Sequence, residues 1–248
     1  MALALLRVMF TNALLACLDA LLPKRCAACD SPAPSGPLCE PCDGSLIPGD
    51  EGACPQCGAL ALERDGRAPI GHCGPCLQRP PAFFRARGAY AYGGAIADAI
   101  RRWKTRPEPT LTPTMCELIL HGRWEREGEE RPTLLVMVPP DPKRLRQRGF
   151  HPAGLLARAM SEHLRLPLDP RAIRTARGYP SSRGRGRDAR RERLRGAFKV
   201  CRDRVQGARL LLIDDVMTTG ATVETISQLC VRAGASSVEV AVLARAPR

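Results

Sequence analysis

The sequence predicts an α/β domain, with a mainly parallel sheet flanked by helices, preceded by a small cysteine-rich metal module. Three observations predict it. Eight of the twelve cysteines form four C-x-x-C pairs, all before residue 77. From Ala89 onward, apolar runs of strand length alternate with helical patterns, as in a chain of βα units. One such run, Leu210-Leu211-Leu212-Ile213, passes directly into Asp214-Asp215 and then into a loop of small hydroxyl residues that opens a helix.

Taken in order, Met1–Leu22 is apolar but interrupted by Arg7, Thr11, Asn12 and Asp19. It falls short of the roughly 20 apolar residues that a bilayer span requires. It also lacks a basic start and a small-residue cleavage site. The reading is an N-terminal amphipathic helix (1–22) of a cytoplasmic protein with no stable membrane insertion.

Residues 23–80 hold the pairs Cys26/Cys29, Cys39/Cys42, Cys54/Cys57 and Cys73/Cys76, separated by nine, eleven and fifteen residues rich in glycine and proline. Nothing marks the chain as secreted, so clustered thiols point to metal rather than disulfides. Two cysteines in a tight turn aim both sulfurs at one point, and a second pair closes a tetrahedral zinc site. The expectation is a double zinc ribbon with two structural zinc ions, one on Cys26, Cys29, Cys39 and Cys42 and one on Cys54, Cys57, Cys73 and Cys76. Spacing alone leaves sequential and interleaved pairing open. A closed set of four thiolates offers water no open position, which makes the metal structural and His72 a bystander. The remaining Cys17, Cys116, Cys201 and Cys230 stand alone and are expected as small core residues.

Residues 81–248 form the α/β unit. Strand-like runs cover Ala86–Tyr92, Thr133–Val138, Ala172–Thr175, Ala197–Cys201, Arg209–Ile213 and Val238–Ala244. Helical patterns cover Ala95–Lys104, Thr112–Trp124, Pro152–Leu164 and Ala221–Ala233. Arg106–Pro109 and Arg123–Arg131 read as connections. The formal net charge is +13, and the densest basic run lies between Arg171 and Arg209. Within it, Arg183, Arg185 and Arg187 are the candidates for contact with a polyanion, either a phosphorylated metabolite or a nucleic-acid backbone.

The acidic pair is the sharpest signal. It falls at the carboxyl end of a parallel strand, where open α/β sheets bind ligands. The following Thr218–Thr222 loop offers backbone N–H groups and hydroxyls at a helix N-terminus, a setting for phosphate. Together these describe a ligand with a phosphate at one end and hydroxyls or a metal nearby, which a phosphorylated sugar satisfies. The chain has no G-x-x-x-x-G-K-[ST] motif, which argues against a P-loop nucleotidase.

The stretch Ile213–Thr222 resembles the phosphoribosyl-pyrophosphate signature of type I phosphoribosyltransferases, and with the tandem ribbon ahead of it the chain is similar to the ComF (ComFC/GntX-like) family. The resemblance extends over Leu21-Leu22-Pro23-Lys24-Arg25-Cys26, the segment from Tyr92-Gly93-Gly94 to Lys104, and Val138-Pro139-Pro140 with Lys143-Arg144 and Arg148-Gly149-Phe150. It continues through Arg190 and Gly196-Ala197-Phe198. It departs from the family at His151-Pro152, which stand where Asn-Gln is usual, and at Arg193, which stands where an asparagine is usual. Tyr179-Pro180-Ser181-Ser182 occupies the place of a customary glutamine. His151, beside proline at a helix start, is expected to be exposed.

What the resemblance implies is a type I phosphoribosyltransferase fold binding phosphoribosyl pyrophosphate. Asp214 and Asp215 would hold the ribose hydroxyls, and Thr218, Thr219, Gly220, Ala221 and Thr222 would wrap the 5′-phosphate. Pro140, Lys143 and Arg144 would line the pyrophosphate loop, with Lys143 mattering most to the chemistry. Magnesium would sit between pyrophosphate and ribose. The implied activity is pentosyl transfer to an unidentified nitrogenous acceptor. The implied setting is DNA uptake and natural transformation, with single-stranded DNA and DNA-uptake proteins as partners. The alternatives are a catalytically silent phosphoribosyl-pyrophosphate sensor, a single-stranded-DNA-binding protein, and a nucleobase-salvage transferase.

Overall fold

A computed structural model describes residues 25–50, 52–60, 71–105, 111–122, 124, 130–176 and 194–247. The 1–22 helix and the candidates Arg183, Arg185 and Arg187 lie outside the described residues. The elements are α1 (Glu40–Asp43), α2 (Gly74–Gln78), β1 (Arg85–Ala91), α3 (Gly94–Thr105), α4 (Leu111–Leu120), β2 (Leu134–Met137), α5 (Pro142–Arg148) and α6 (Pro152–Leu164). They continue with β3 (Ile173–Thr175), β4 (Phe198–Val200), α7 (Arg202–Val205), β5 (Arg209–Met217), α8 (Ala221–Arg232) and β6 (Ser237–Arg245).

Four strands form one parallel sheet in the order β1-β6-β5-β2. A parallel bridge between Leu135 and Leu168 extends it beyond β2. The central strands are apolar on both faces, as a sheet covered by helices on each side demands. Alternation sends Leu210 and Leu212 of β5 into one core, with Val238, Val240, Val223 and Ile226. It sends Leu211 and Ile213 into the other, with Ile96, Ile100, Trp103, Met115, Leu118, Leu156 and Met160. The second core is therefore built by α3, α4 and α6, and the first by α8. β3 and β4 form a separate antiparallel pair.

The two ribbons are divided between these cores. Cys26, Ala27 and Leu38 pack into the second, whereas Cys54, Cys57, Ala59 and Cys76 pack into the first. The segment between them runs along β1. Gly49 N–H donates to the Ala89 carbonyl at 3.0 Å, Ala91 N–H donates to the Ile47 carbonyl at 2.8 Å, and Pro48 bridges Tyr90 in antiparallel fashion. The outer edge of β1 is thereby covered, which removes a row of unpaired donors and acceptors. Gly58 permits the close docking of the second ribbon. Its φ is +63°, and a Cβ there would lie 2.5 Å from the Ala86 carbonyl oxygen.

Three local expectations are corrected. The helix expected to reach Trp124 ends at Leu120, and the Trp124 indole turns back to donate to the Ile119 carbonyl at 2.8 Å. The stretch expected as a loop through Arg144 becomes helix α5 at Pro142. Asp141 caps it by accepting from the Lys143 N–H at 2.9 Å, Pro142 occupies the first turn, and Gly149 ends it with φ 78°. Of the lone cysteines, Cys230 is buried and Cys116 is half-buried, but Cys201 is exposed ahead of α7, and Cys17 lies outside the described residues. Among the described residues no helix is long and apolar enough to cross a membrane.

Candidate functional site

At the carboxyl end of the sheet, the ends of β2 and β5 open a cleft of about 350 Å³. β5 is longer than the apolar run suggests, because Asp214 and Val216 still pair in register with Val242 and Ala244 of β6. The acids thus sit on a rigid strand rather than in a loop. The Asp215 N–H donates to Asp214 Oδ1 at 2.8 Å, which orients one carboxylate against the backbone. Asp215 Oδ2 lies 2.8 Å from the Nζ of Lys104, with the two side chains 16% and 20% exposed.

Beyond β5 the chain turns through Thr218 and Thr219 to Gly220, whose φ of 78° starts α8. The first turn of a helix leaves N–H groups without intrahelical partners, and here that turn borders the cleft. The carbonyls of the loop are held from behind. Arg245, 1% exposed at the end of β6, donates to the Met217 carbonyl at 2.9 Å and also to the Thr218 carbonyl. Its Nε donates at 3.0 Å to the carbonyl of Cys57, in the second ribbon. A single guanidinium therefore joins the C-x-x-C turn to the hydroxyl-rich loop. A second tie runs from the Ala82 N–H to buried Glu224 of α8, at 2.9 Å.

The opposite wall is Val138–Asp141 with Arg144, Leu145 and Arg148 of α5. Arg144 and Arg148 are one helical turn apart and share this face. Burial pushes the Arg148 guanidinium below its ordinary pKa, Asp215 and Asp141 oppose that shift, and Arg144 reinforces it. The site thus gathers three cations around the acidic pair. Thr175 of β3 ties its hydroxyl to the Pro140 carbonyl at 2.9 Å, fixing the loop between β2 and α5.

The cleft brings together Asp214, Asp215, Thr218, Thr219, Gly220, Ala221, Thr222, Pro140 and Arg144. Lys143, exposed in the first turn of α5, is not among the lining residues. Sequence reasoning missed Lys104 and Arg148. The four-residue spacing from Arg144 could have found Arg148, once Asp141-Pro142 was read as a helix start. Lys104 gave no local signal, because its partner is more than a hundred residues away. His151 is half-buried and lines the cleft, contrary to the expectation of an exposed side chain.

Burial pushes the His151 imidazole below its usual 6.5, against the opposing pull of Asp215 and a hydrogen bond with the Val138 backbone. The unfolded chain therefore takes up this proton at a higher pH than the folded one. Stability from this group is present at neutral pH and is lost as pH falls through about 6.5. Thermal melts from pH 7.5 to 5 are expected to fall more steeply for the wild type than for His151→Asn. Parallel curves would remove His151 from the account.

The eight ribbon cysteines form two groups, Cys26/Cys29/Cys39/Cys42 and Cys54/Cys57/Cys73/Cys76, with the sulfurs of each within 4.8 Å of one another. This is sequential pairing, and the all-sulfur donor sets fit tetrahedral zinc. His72 belongs to neither group.

Comparison with known proteins bears on the ribbons and on the family of the whole chain. The double zinc ribbon domain family matches residues 17–77. DNA utilization protein YhgH of Escherichia coli K12 is 31% identical over 230 residues, covering 90% of this chain and 98% of that protein. The chain belongs to the ComF/YhgH family. It is also similar to competence protein F of Haemophilus influenzae, 27% identical over 84% of this chain and 96% of that one, and to competence protein ComFC of Streptococcus pneumoniae, 27% identical over 84% and 87%. Among solved structures, glutamine phosphoribosylpyrophosphate amidotransferase from B. subtilis aligns with 74% of this chain and 35% of its own, at 16% identity and a TM-score of 0.35. So slight a likeness adds nothing to the parallel sheet and the two four-cysteine groups already described.

Proposed function

We propose that this ComF/YhgH-family protein binds phosphoribosyl pyrophosphate with magnesium at the cleft, and that it acts in DNA uptake. The observation that carries the reading is the convergence of an acidic pair, a hydroxyl-rich loop at a helix N-terminus and three cations on one cleft at the carboxyl end of a parallel sheet. The Thr218–Thr222 loop binds the 5′-phosphate through its backbone N–H groups. Asp214 and Asp215 accept from the ribose hydroxyls and orient the ring. Arg144 and Arg148 neutralise the diphosphate as it leaves, so that displacement at the anomeric carbon gains from stabilising the leaving group.

Magnesium suits this donor set, which is all oxygen. Two adjacent carboxylates are too few for an all-protein cage, and magnesium customarily completes its shell with water and substrate phosphate oxygens. When bound, it supplies positive charge to the diphosphate. The setting in DNA uptake is inferred from the relatives, a DNA utilization protein and two competence proteins. It gains support from exposed Arg174 and Lys199, which sit directly opposite each other on β3 and β4. Like charges so placed are unfavourable without an anionic partner.

The test is calorimetric titration of zinc-loaded protein with phosphoribosyl pyrophosphate and magnesium, with and without single-stranded DNA, beside an Asp214→Ala/Asp215→Ala variant. Micromolar binding by the wild type, weakened at least a hundredfold in a folded variant, is the expected result. Equal binding by both proteins would remove the acidic pair from the site.

A further inference from the structure

We propose that Lys104 makes this site selective for a sugar that carries an anionic group at its anomeric carbon over the same sugar 5-phosphate without one. The inference deepens the proposed function and rests on it. Lys104 comes from α3, ahead of every strand that carries the acids and the phosphate loop, yet it lines the cleft with its ammonium 2.8 Å from Asp215. The pair is about four-fifths withdrawn from solvent on both sides, so its mutual attraction is stronger than that of a surface ion pair.

The helix that delivers Lys104 is anchored from outside. Two residues earlier, Arg102 donates to the Cys26 carbonyl at 3.0 Å and pairs with Asp30 at 2.9 Å, both in the first ribbon. The end of α3 is thus fixed relative to the metal module, and only the Lys104 side chain spans the distance to β5.

The selectivity follows from sugar stereochemistry. A carboxylate has two oxygens and several lone pairs, so Asp215 can accept from a ribose hydroxyl while it keeps Lys104. In an α-configured ribose the anomeric oxygen lies on the same ring face as the 2- and 3-hydroxyls. A cation bonded to the carboxylate that holds those hydroxyls is therefore within reach of the anomeric substituent. A diphosphate there meets Lys104 from one side and Arg144 and Arg148 from the other. Ribose 5-phosphate offers this ammonium only a neutral anomeric hydroxyl and so gains far less from it than a diphosphate does. The resemblance assigns the corresponding role to Lys143, whose exposed side chain is not among those that line the cleft.

The test compares Lys104→Met with the wild type, both zinc-loaded, in titrations with magnesium and phosphoribosyl pyrophosphate and separately with ribose 5-phosphate. The expected result is a loss of at least tenfold for the diphosphorylated sugar, with ribose 5-phosphate bound as well as before or more tightly. Parallel weakening of both ligands would mark Lys104 as merely structural and overturn the proposal, as would no change in either. Lys104→Arg retains the charge and is expected to retain the preference for the diphosphorylated sugar. Loss of that preference in a stable Lys104→Arg protein would also overturn the proposal. A wild type that binds neither ligand would instead overturn the proposed function, and the selectivity with it.

Discussion

Arg245→Met is expected to lower the melting temperature by roughly 10 °C and to abolish sugar-phosphate binding. The guanidinium is buried and donates to carbonyls from two modules, Cys57 in the second ribbon and Met217 and Thr218 at the hydroxyl-rich loop. Methionine preserves much of the apolar stem but returns no donor. Hydrogen bonds from a charged group contribute about 1.5–3 kcal/mol each, and stranded buried carbonyls add a desolvation cost, so a loss of about 3 kcal/mol or more is expected. The loop itself would lose the support that holds its carbonyls away from the cleft. Differential scanning calorimetry and ligand titration read the two effects separately. A variant that melts and binds like the wild type would show that the two modules are not joined through this residue.

Removal of zinc is the second large effect. Ribbon modules of this kind fold with their metal, so the binding energy of zinc is part of the folding energy. Here the second cluster is also part of the main core, because Cys54, Cys57 and Cys76 pack with Phe83, Ala86 and the apolar face of α8. The first cluster is more open, with Cys29 exposed. Atomic emission is expected to find two zinc ions per chain. Cys57→Ser should destabilise the whole protein and its cleft, with a fall in melting temperature at least twice that caused by Cys29→Ser. Equal and small effects would mean that the second ribbon is an appendage rather than a wall of the domain.

Much of the sheet was legible because its strands are short apolar runs bounded by turn residues, and burial on both faces leaves little else for Leu210–Ile213 or Val238–Ala244 to be. The two metal clusters were legible in spacing, although only the folded chain decided their pairing. The acidic pair and its loop were legible because strand, carboxylates and helix start are adjacent in sequence. What escaped was non-local. Arg245 ends an apolar strand and looks like an ordinary solvated terminus, yet its partners are at positions 57, 217 and 218. Lys104 lies at the end of a basic helix whose other charges face the first ribbon and solvent. α5 was missed for a different reason. The resemblance implied a pyrophosphate loop through Lys143 and Arg144, while the decisive features were the caps at Asp141 and Gly149.

The central claim is that the Thr218–Thr222 loop and the Asp214-Asp215 pair form one sugar-phosphate site backed by the second ribbon. A crystal structure of the zinc-loaded protein with phosphoribosyl pyrophosphate and magnesium tests it most directly. The 5′-phosphate is expected on the backbone N–H groups of Thr218–Thr222, the ribose hydroxyls on Asp214 and Asp215, and the diphosphate between Lys104 and the arginines of α5. Ligand bound elsewhere, or a cleft left empty at saturating ligand, would contradict it.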